Sequence, residues 1–251
     1  MVQRYRADLH VHTALSPCAS DAMTPPGILA EALRRELDLI GAVDHNAAGN
    51  ARALMRASQA AGNAVHVLPG LEIESIEGVH VVCLCDSAEA AEAMQDFVWA
   101  DLPESGHRPE VLGEQWLMEA DGTRIRQEMR PLLRSAKLRL EEICRESQRR
   151  GLLTIPAHVT RRGYGLFGVL GFMPEGLEVD ALEMGPPMPL SAPALADLDH
   201  HPHVCSSDAH WLEDIGAART DLWLAEPTIA EIKLALQGTA GRRVVVVERG
   251  S

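Results

Sequence analysis

Ala7-Asp8-Leu9-His10-Val11-His12 is a strand-like run that places two imidazoles at positions i and i+2, close to the start of the chain. On a β-strand such residues project to one face, so His10 and His12 stand side by side, as two ligands of one metal require. An H-x-H pair alone does not separate a metal site from two surface histidines. The remainder of the chain has to decide.

Working outward, Thr24-Pro25-Pro26 has the form of an N-cap followed by proline at the first helical position. Ile28, Leu29, Ala32, Leu33 and Leu37 then recur on one helical face. Leu39 to Val43 is a buried-strand run ending in Asp44-His45-Asn46, and an alanine-rich helix is predicted from about Ala48 to Ala61. Val65 to Ile73 predicts a strand carrying Glu72, and Val79 to Cys85 another carrying His80, two consecutive strands that interrupt the alternation. Residues 87–130 are irregular: a helix from Ser87 to Trp99, a loop from Leu102 to Pro109, and an Asp121-Gly122 turn. This stretch is expected to be an insertion on the main fold. A long helix is predicted from Pro131 to Arg150, stopping at Gly151.

Leu152 to Ala157 is the next strand, with His158 at its end, followed by a glycine-rich loop. Leu177 to Met184, Val204 to Ser206, Leu222 to Leu224 and Arg243 to Val247 complete the strands, with a helix opened by Thr228 and Glu231 before the last. Strands alternating with helices, with polar residues just after strand ends, predict a parallel α/β protein whose site lies at one face of the sheet.

The polar residues carried at those positions are His10, His12, His45, Glu72, His80, His158, Asp208 and His210. Each has a bland alternative: His45 as a helix cap, Glu72 as a surface acid, His80 or His158 as a hydrogen-bonded core histidine. Together they form a set of imidazoles and carboxylates without cysteine, suited to Mn, Fe or Zn rather than Ca or Mg. Eight candidates exceed the needs of one ion, so two metals sharing a bridge are expected, with Glu72 as the natural bridging carboxylate. Asp199-His200-His201-Pro202-His203 is expected to be a polar loop rather than a further metal site.

The chain resembles the PHP (polymerase and histidinol phosphatase) domain superfamily of metal-dependent phosphoesterases. The likeness rests on Asp8-Leu9-His10-Val11-His12-Thr13, Val43-Asp44-His45-Asn46, Pro156-Ala157-His158 and Ser207-Asp208-Ala209-His210, with Gly70-Leu71-Glu72 and His80 between them. It implies a single domain over residues 1–251 with a distorted (β/α)7 TIM-like barrel and the insertion at 87–130. It also implies two or three divalent ions: His10, His12, Glu72 and Asp208 on the first, Glu72, His80 and His158 on the second, His45 and His210 on a third. Many members continue H-x-H-T-x-x-S-D-G and place that aspartate on the third metal, whereas here Pro17 takes its place. Asp21 and Cys18 are the nearby alternatives, Asp21 having the setting of a loop residue before the Thr24 cap and Cys18 that of a packed thiol.

Two adjacent divalent ions would lower the pKa of a shared water from about 15.7 towards 7, and the resulting bridging hydroxide is the expected nucleophile. The reaction implied is hydrolysis of a small-molecule phosphate ester, a metabolite or nucleotide. Asp208 and His210 are the candidates for proton transfer, and Arg161 and Arg162 for clamping phosphate oxygens, unless they are solvated loop charges. Two other readings are open: a metal-dependent hydrolase of an amide or other carbon centre, and a non-catalytic metal-sensing module.

Composition bounds these readings. At 251 residues with 46% hydrophobic and 24% charged residues, the chain can build a large core. A formal charge of −13 disfavours an extended nucleic acid as partner, since such partners usually meet a basic stripe. The first six residues lack the apolar core of a signal peptide, and Val244 to Val247 is too short to span a bilayer. A cytoplasmic protein with no membrane partner is expected. Five cysteines without a C-x-x-C pair indicate buried thiols rather than a disulfide framework.

Overall fold

Eight α-helices and eleven β-strands, seven of the strands in one curled sheet, make up the fold in the computed structural model, which describes residues 1–247. In chain order these are β1 (Gln3–Val11), α1 (Pro25–Arg34), β2 (Leu39–His45), α2 (Ala51–Ala60), β3 (His66–Glu74), β4 (His80–Leu84) and α3 (Ala88–Trp99). Next come α4 (Pro109–Leu112), β5 (Trp116–Met118), β6 (Arg124–Gln127), α5 (Leu140–Arg149), β7 (Leu153–Pro156) and α6 (Leu166–Val169). The last are β8 (Leu182–Glu183), α7 (Ala192–Asp199), β9 (His203–Val204), β10 (Arg219–Leu224), α8 (Ile229–Leu236) and β11 (Arg243–Val247).

The sheet runs β11-β10-β1-β2-β3-β4-β7. β1, β2 and β3 are parallel, whereas β4 is antiparallel to both its neighbours. The parallel pair β8–β9 spans the gap between β7 and β1. Val159 N donates to Glu183 O at 2.8 Å on one side, and Ala209 bridges to Val11 on the other. This is the distorted (β/α)7 barrel that the sequence resemblance implied.

Alternate strand positions sort into two cores. Leu39, Val43, Leu68, Val82, Leu84, Leu153 and Ile155 meet Ala7 and Leu9 in one cluster. Ile40, Ala42, Val67 and Val11 pack with Ile28 and Leu29 of α1 and Leu54 of α2 in another. Residues 9 and 11 of β1 therefore face opposite sides, which strict alternation forbids. The cause is a bulge: Asp8 pairs with Ile40 and Val11 with Ala42, so three steps on β1 match two on β2. The extra residue shifts the phase of the strand and brings His10 and His12 round to the side of the first cluster. Gly41 makes the bulge possible, because a Cβ there would stand 2.3 Å from the Leu9 carbonyl oxygen.

The insertion contains α3, α4 and the β5–β6 hairpin, and the hairpin packs on the loop after β1. Trp116 N donates to Ala14 O, and the Asn50 side chain donates to Trp116 O and accepts from Met118 N.

Local propensity overextends one element. The helix predicted from Pro131 to Arg150 begins only at Leu140, because distant groups take the backbone of its first half. Asn46 Nδ2 donates to Leu132 O and Arg134 O, Ala136 N donates to Glu74 O, and Ile76 N donates to Leu138 O. The run predicted from Leu177 to Met184 is a strand only at β8, and α7 follows with Ser191 as its N-cap. Among the described residues no helix is long and apolar enough to cross a membrane.

Candidate metal centre

Glu72, at the end of β3, is buried and encircled by five imidazoles. Its Oε1 lies 2.7 Å from His80 Nδ1, 3.2 Å from His158 Nε2 and 3.5 Å from His10 Nε2. Its Oε2 lies 2.9 Å from His45 Nδ1 and 3.5 Å from His12 Nε2. The sheet explains the convergence. His45 is the register partner of Glu72 on β2, and His80 opens the antiparallel β4 opposite Glu74, so it reaches the same rim from the start of its strand. His158 follows β7, with its backbone at φ 34.

Asp208 reaches the rim on the loop after β9, its Oδ1 3.4 Å from His10 Nε2 and 3.3 Å from His12 Nε2. Two buried acids fix the loops that carry these groups. Asp8 accepts from Ser207 N, Ser207 Oγ and Gly216 N, which fastens the Asp208 loop to β1. Asp44 accepts from Thr13 N, Thr13 Oγ1 and Ser16 Oγ, which fastens the loop after β1 to β2. Asp8 and Asp44 therefore position the loops that carry candidate ligands, whereas Asp208 faces the histidines itself.

The rings are oriented so that lone pairs face one another. His10 Nδ1 donates to the Glu183 carboxylate, 3.1 Å from each oxygen. Ser16 Oγ spends its only proton on Asp44, so it accepts from His12 Nδ1 at 2.9 Å. With both Nδ1 atoms protonated, neutral His10 and His12 direct bare Nε2 lone pairs at each other across 3.1 Å, beside the Asp208 carboxylate. Such a group repels itself unless positive charge sits within it. A divalent cation fits this donor set, and the Glu72 Oε2 atom, buried without a hydrogen-bond partner, is a further vacant donor. Among the described residues, three groups have donor atoms close enough to share an ion: His10, His12 and Asp208; His45, Glu72 and His80; and His12, His45 and His210.

Without a cation, protons take up part of this role. Burial works against charge on His10, yet Glu183, Glu72 and Asp208 outweigh it and raise its pKa well above 6.5. His45 and His80 are likewise raised despite burial, chiefly by Glu72. His12 goes the other way, lowered well below 6.5 by burial and by the neighbouring His210. Burial also opposes ionisation of Glu72, but the ring of histidines holds its carboxyl well below the usual range. Asp8, cut off from solvent, is raised to about 6.

The eight residues anticipated as ligands gather around Glu72: His45, His80, His158, Asp208 and His210 line a cleft with it, and His10 and His12 lie fully buried beside them. His12 joins His45 and His210, and His45 also joins Glu72 and His80. The cleft has a volume of about 270 Å³ and is lined by Arg161, Tyr164, Glu74, Leu133 and Cys18 besides the central groups. Arg161 reaches Asp208 Oδ2 at 3.3 Å. Arg162 does not line the cleft; it follows the turn after His158, where Arg161 N donates to His158 O, in the setting of the solvated loop charge that was the alternative for both arginines. His200, His201 and His203 donate to carbonyls of α7 and stand apart from the centre, as expected of a polar loop.

Sequence reasoning missed Glu183 and Tyr164. Glu183 satisfied the rule applied elsewhere, a polar residue at a strand end. Tyr164, whose ring stacks on His80 at 4.5 Å, carried no signal beyond being an aromatic residue in a glycine-rich loop.

No family model and no curated protein sequence matches the chain. Solved structures do. The lesion-specific endonuclease Q of Pyrococcus furiosus superposes with a TM-score of 0.69 at 20% identity, and an endonuclease Q complexed with a 27-mer duplex bearing an abasic lesion at the active site with 0.71 at 20%. Each match covers 96% of this chain but only 58% of the endonuclease, so the chain spans little more than half of those proteins. A Bifidobacterium adolescentis protein described as a metal-dependent phosphoesterase gives 0.56 at 16%, covering 81% of this chain and 87% of that one. An amidohydrolase from Chromobacterium violaceum gives 0.53 at 18%, covering 84% and 89%. These likenesses show a PHP-like fold.

They also overturn the expectation that an extended nucleic acid is disfavoured, because endonuclease Q, which matches this fold over 58% of its length, is solved with a 27-mer DNA duplex. A charge summed over the chain does not exclude such a partner, since it says nothing of where on the surface the charges lie.

Proposed function

We propose that this PHP-like chain is a metal-dependent hydrolase acting on phosphate esters. One observation carries the reading: a buried carboxylate, Glu72, within 3.5 Å of five imidazoles, facing Asp208 across a cleft with an arginine at its mouth. His10, His12, Glu72 and Asp208 would hold one ion, and Glu72, His80 and His158 a second. Ions bound there would make hydroxide available near neutral pH and offset negative charge on a phosphoryl group.

The chain's own residues supply position and selectivity. Glu183 and Ser16 keep the Nε2 atoms of His10 and His12 aimed inward. Arg161, half-exposed beside Asp208, presents a guanidinium suited to two non-bridging phosphate oxygens. Tyr164, stacked on His80, offers a ring edge and a phenol to whatever group adjoins the phosphate. His210 is held at the cleft by its Nδ1, which lies 2.9 Å from the Asp208 carbonyl oxygen, leaving Nε2 as the ring nitrogen without that bond. A cleft of about 270 Å³ suits one phosphorylated sugar or nucleotide unit, free or presented by a longer strand.

The test is a substrate panel with protein loaded separately with Mn, Fe or Zn: phosphomonoesters, phosphodiesters, and duplex DNA with and without an abasic site. A parallel set of lactams and linear amides probes the carbon-centre alternative suggested by the amidohydrolase likeness. Turnover on phosphate esters that is lost in Glu72→Gln supports the reading. Turnover confined to the amide set refutes it.

A further inference from the structure

The loop from Val159 to Phe167 holds one aromatic side chain in an imposed position. Phe167 N donates to Val159 O at 3.0 Å, Thr160 Oγ1 to Gly185 O at 2.9 Å, and Arg161 N to His158 O at 2.8 Å. Gly165 lets the chain pass close over itself, because a Cβ there would stand 2.4 Å from Arg161 O and 2.6 Å from His158 O. Inside this loop Tyr164 takes φ 66, a left-handed backbone that a bulky residue adopts only where its surroundings impose it. His80 N donates to Tyr164 O at 2.9 Å, and the two rings stack with centroids 4.5 Å apart and planes inclined by 24°.

Packing does not account for that arrangement. Tyr164 is 44% exposed and lines the cleft together with Leu133. One face of its ring rests on His80, and the Arg161 guanidinium, 3.3 Å from Asp208, stands 5.9 Å from the ring centroid. A phosphate drawn to Arg161 therefore has an aromatic platform as its neighbour. Distance decides what the platform takes. A ring stacked on the face turned from His80 lies a further contact of about 3.5–4.0 Å out, two rings away from the imidazole beside Glu72. A ring esterified directly to a phosphate beside Glu72 falls short of that place. A base, held off from its phosphate by a sugar, reaches it.

We propose that Tyr164 is the base-binding residue of the cleft, and that the phosphate ester taken there belongs to a nucleotide, free or within a strand. Every base has a flat π face, so stacking on tyrosine selects nucleotides as a class rather than one base among them. This role rests on the phosphate-ester reading of the cleft.

Binding tests it without turnover. Full-length protein loaded with Mn is titrated by calorimetry with slowly hydrolysed phosphorothioate analogues of nucleoside 5′- and 3′-monophosphates, ribose 5-phosphate, phenyl phosphate and a short single strand. A nucleoside analogue should bind about tenfold or more tightly than the ribose and phenyl analogues. Tyr164→Phe should keep that preference, and Tyr164→Asn, which accepts a left-handed backbone, should reduce it to within about twofold. A strand that binds more tightly than the mononucleotides, with the same dependence on Tyr164, identifies a strand as the source; equal affinity identifies the free nucleotide. Labelling with 3-fluorotyrosine covers the case in which a Tyr164 variant fails to fold. The chain has two tyrosines, Tyr5 and Tyr164, and a nucleoside analogue should shift the fluorine resonance that remains in Tyr5→Phe, whereas the ribose analogue should not. Equal affinity for nucleoside and ribose analogues, or a preference that survives in Tyr164→Asn, overturns the base-binding role while leaving the phosphate-ester reading standing. Protein that binds none of the analogues overturns both.

Discussion

Glu183 receives His10 Nδ1 on both carboxylate oxygens, each 3.1 Å away, from a strand 173 positions further along the chain. The same carboxylate accepts from His158 N, so one acid on β8 orients groups at two places around Glu72. Glu183→Gln should fold, keep His158 in place, and bind the ion at His10 about 10- to 100-fold more weakly, the usual cost of losing a carboxylate behind a metal-bound histidine. Competition with a chromophoric chelator measures this. Unchanged affinity would reduce Glu183 to a packing role.

The pairing of Glu72 with its histidines gives metal-free protein a definite pH signature. His10, His45 and His80 are raised above 6.5, so their contribution to stability is fully present below 6.5 and lost as pH rises through the folded values. Glu72 is lowered below 4.5, so its contribution is present above 4.5 and lost as pH falls through the folded value. The Tm advantage of the unmutated chain over Glu72→Gln, both metal-free, should therefore peak between those two ordinary values and shrink at pH 9. A pH-independent difference would contradict the pairing.

Metal binding must displace the same protons. Cation affinity should rise with pH, and calorimetry in buffers of different ionisation enthalpy should detect net proton release at pH 7. Binding without proton release would mean that the raised histidines are not ligands.

Arg161 sits over Asp208 at the mouth of the cleft. Arg161→Ala should lower kcat/KM on phosphate esters by about 10- to 100-fold, with Arg161→Lys recovering part of the loss because a point charge replaces a fork. The same change at Arg162, which does not line the cleft, should leave steady-state kinetics unaltered.

The candidate set was legible because each member lies next to a strand whose apolar run is short and clear, as with Leu39 to Val43 before His45 or Leu152 to Ala157 before His158. The bulge was not legible. Period-two reasoning paired His10 with His12 correctly, but their inward direction depends on a register slip against β2 that no local pattern encodes. Glu183 escaped notice because β8 is two residues long inside a stretch taken as one strand. The residues after Pro131 have helical propensity that loses to Asn46 and Glu74, groups brought near only by the barrel. Net charge could not decide for or against nucleic acid because a sum over the chain has no geometry.

Elemental analysis of the purified protein beside Glu72→Ala tests the central claim most directly. At least two equivalents of Mn, Fe or Zn per chain, falling below one when Glu72 is removed, is the result predicted by a carboxylate shared among five imidazoles. Metal absent from both proteins after exposure to all three ions, or equal metal in both, would contradict it.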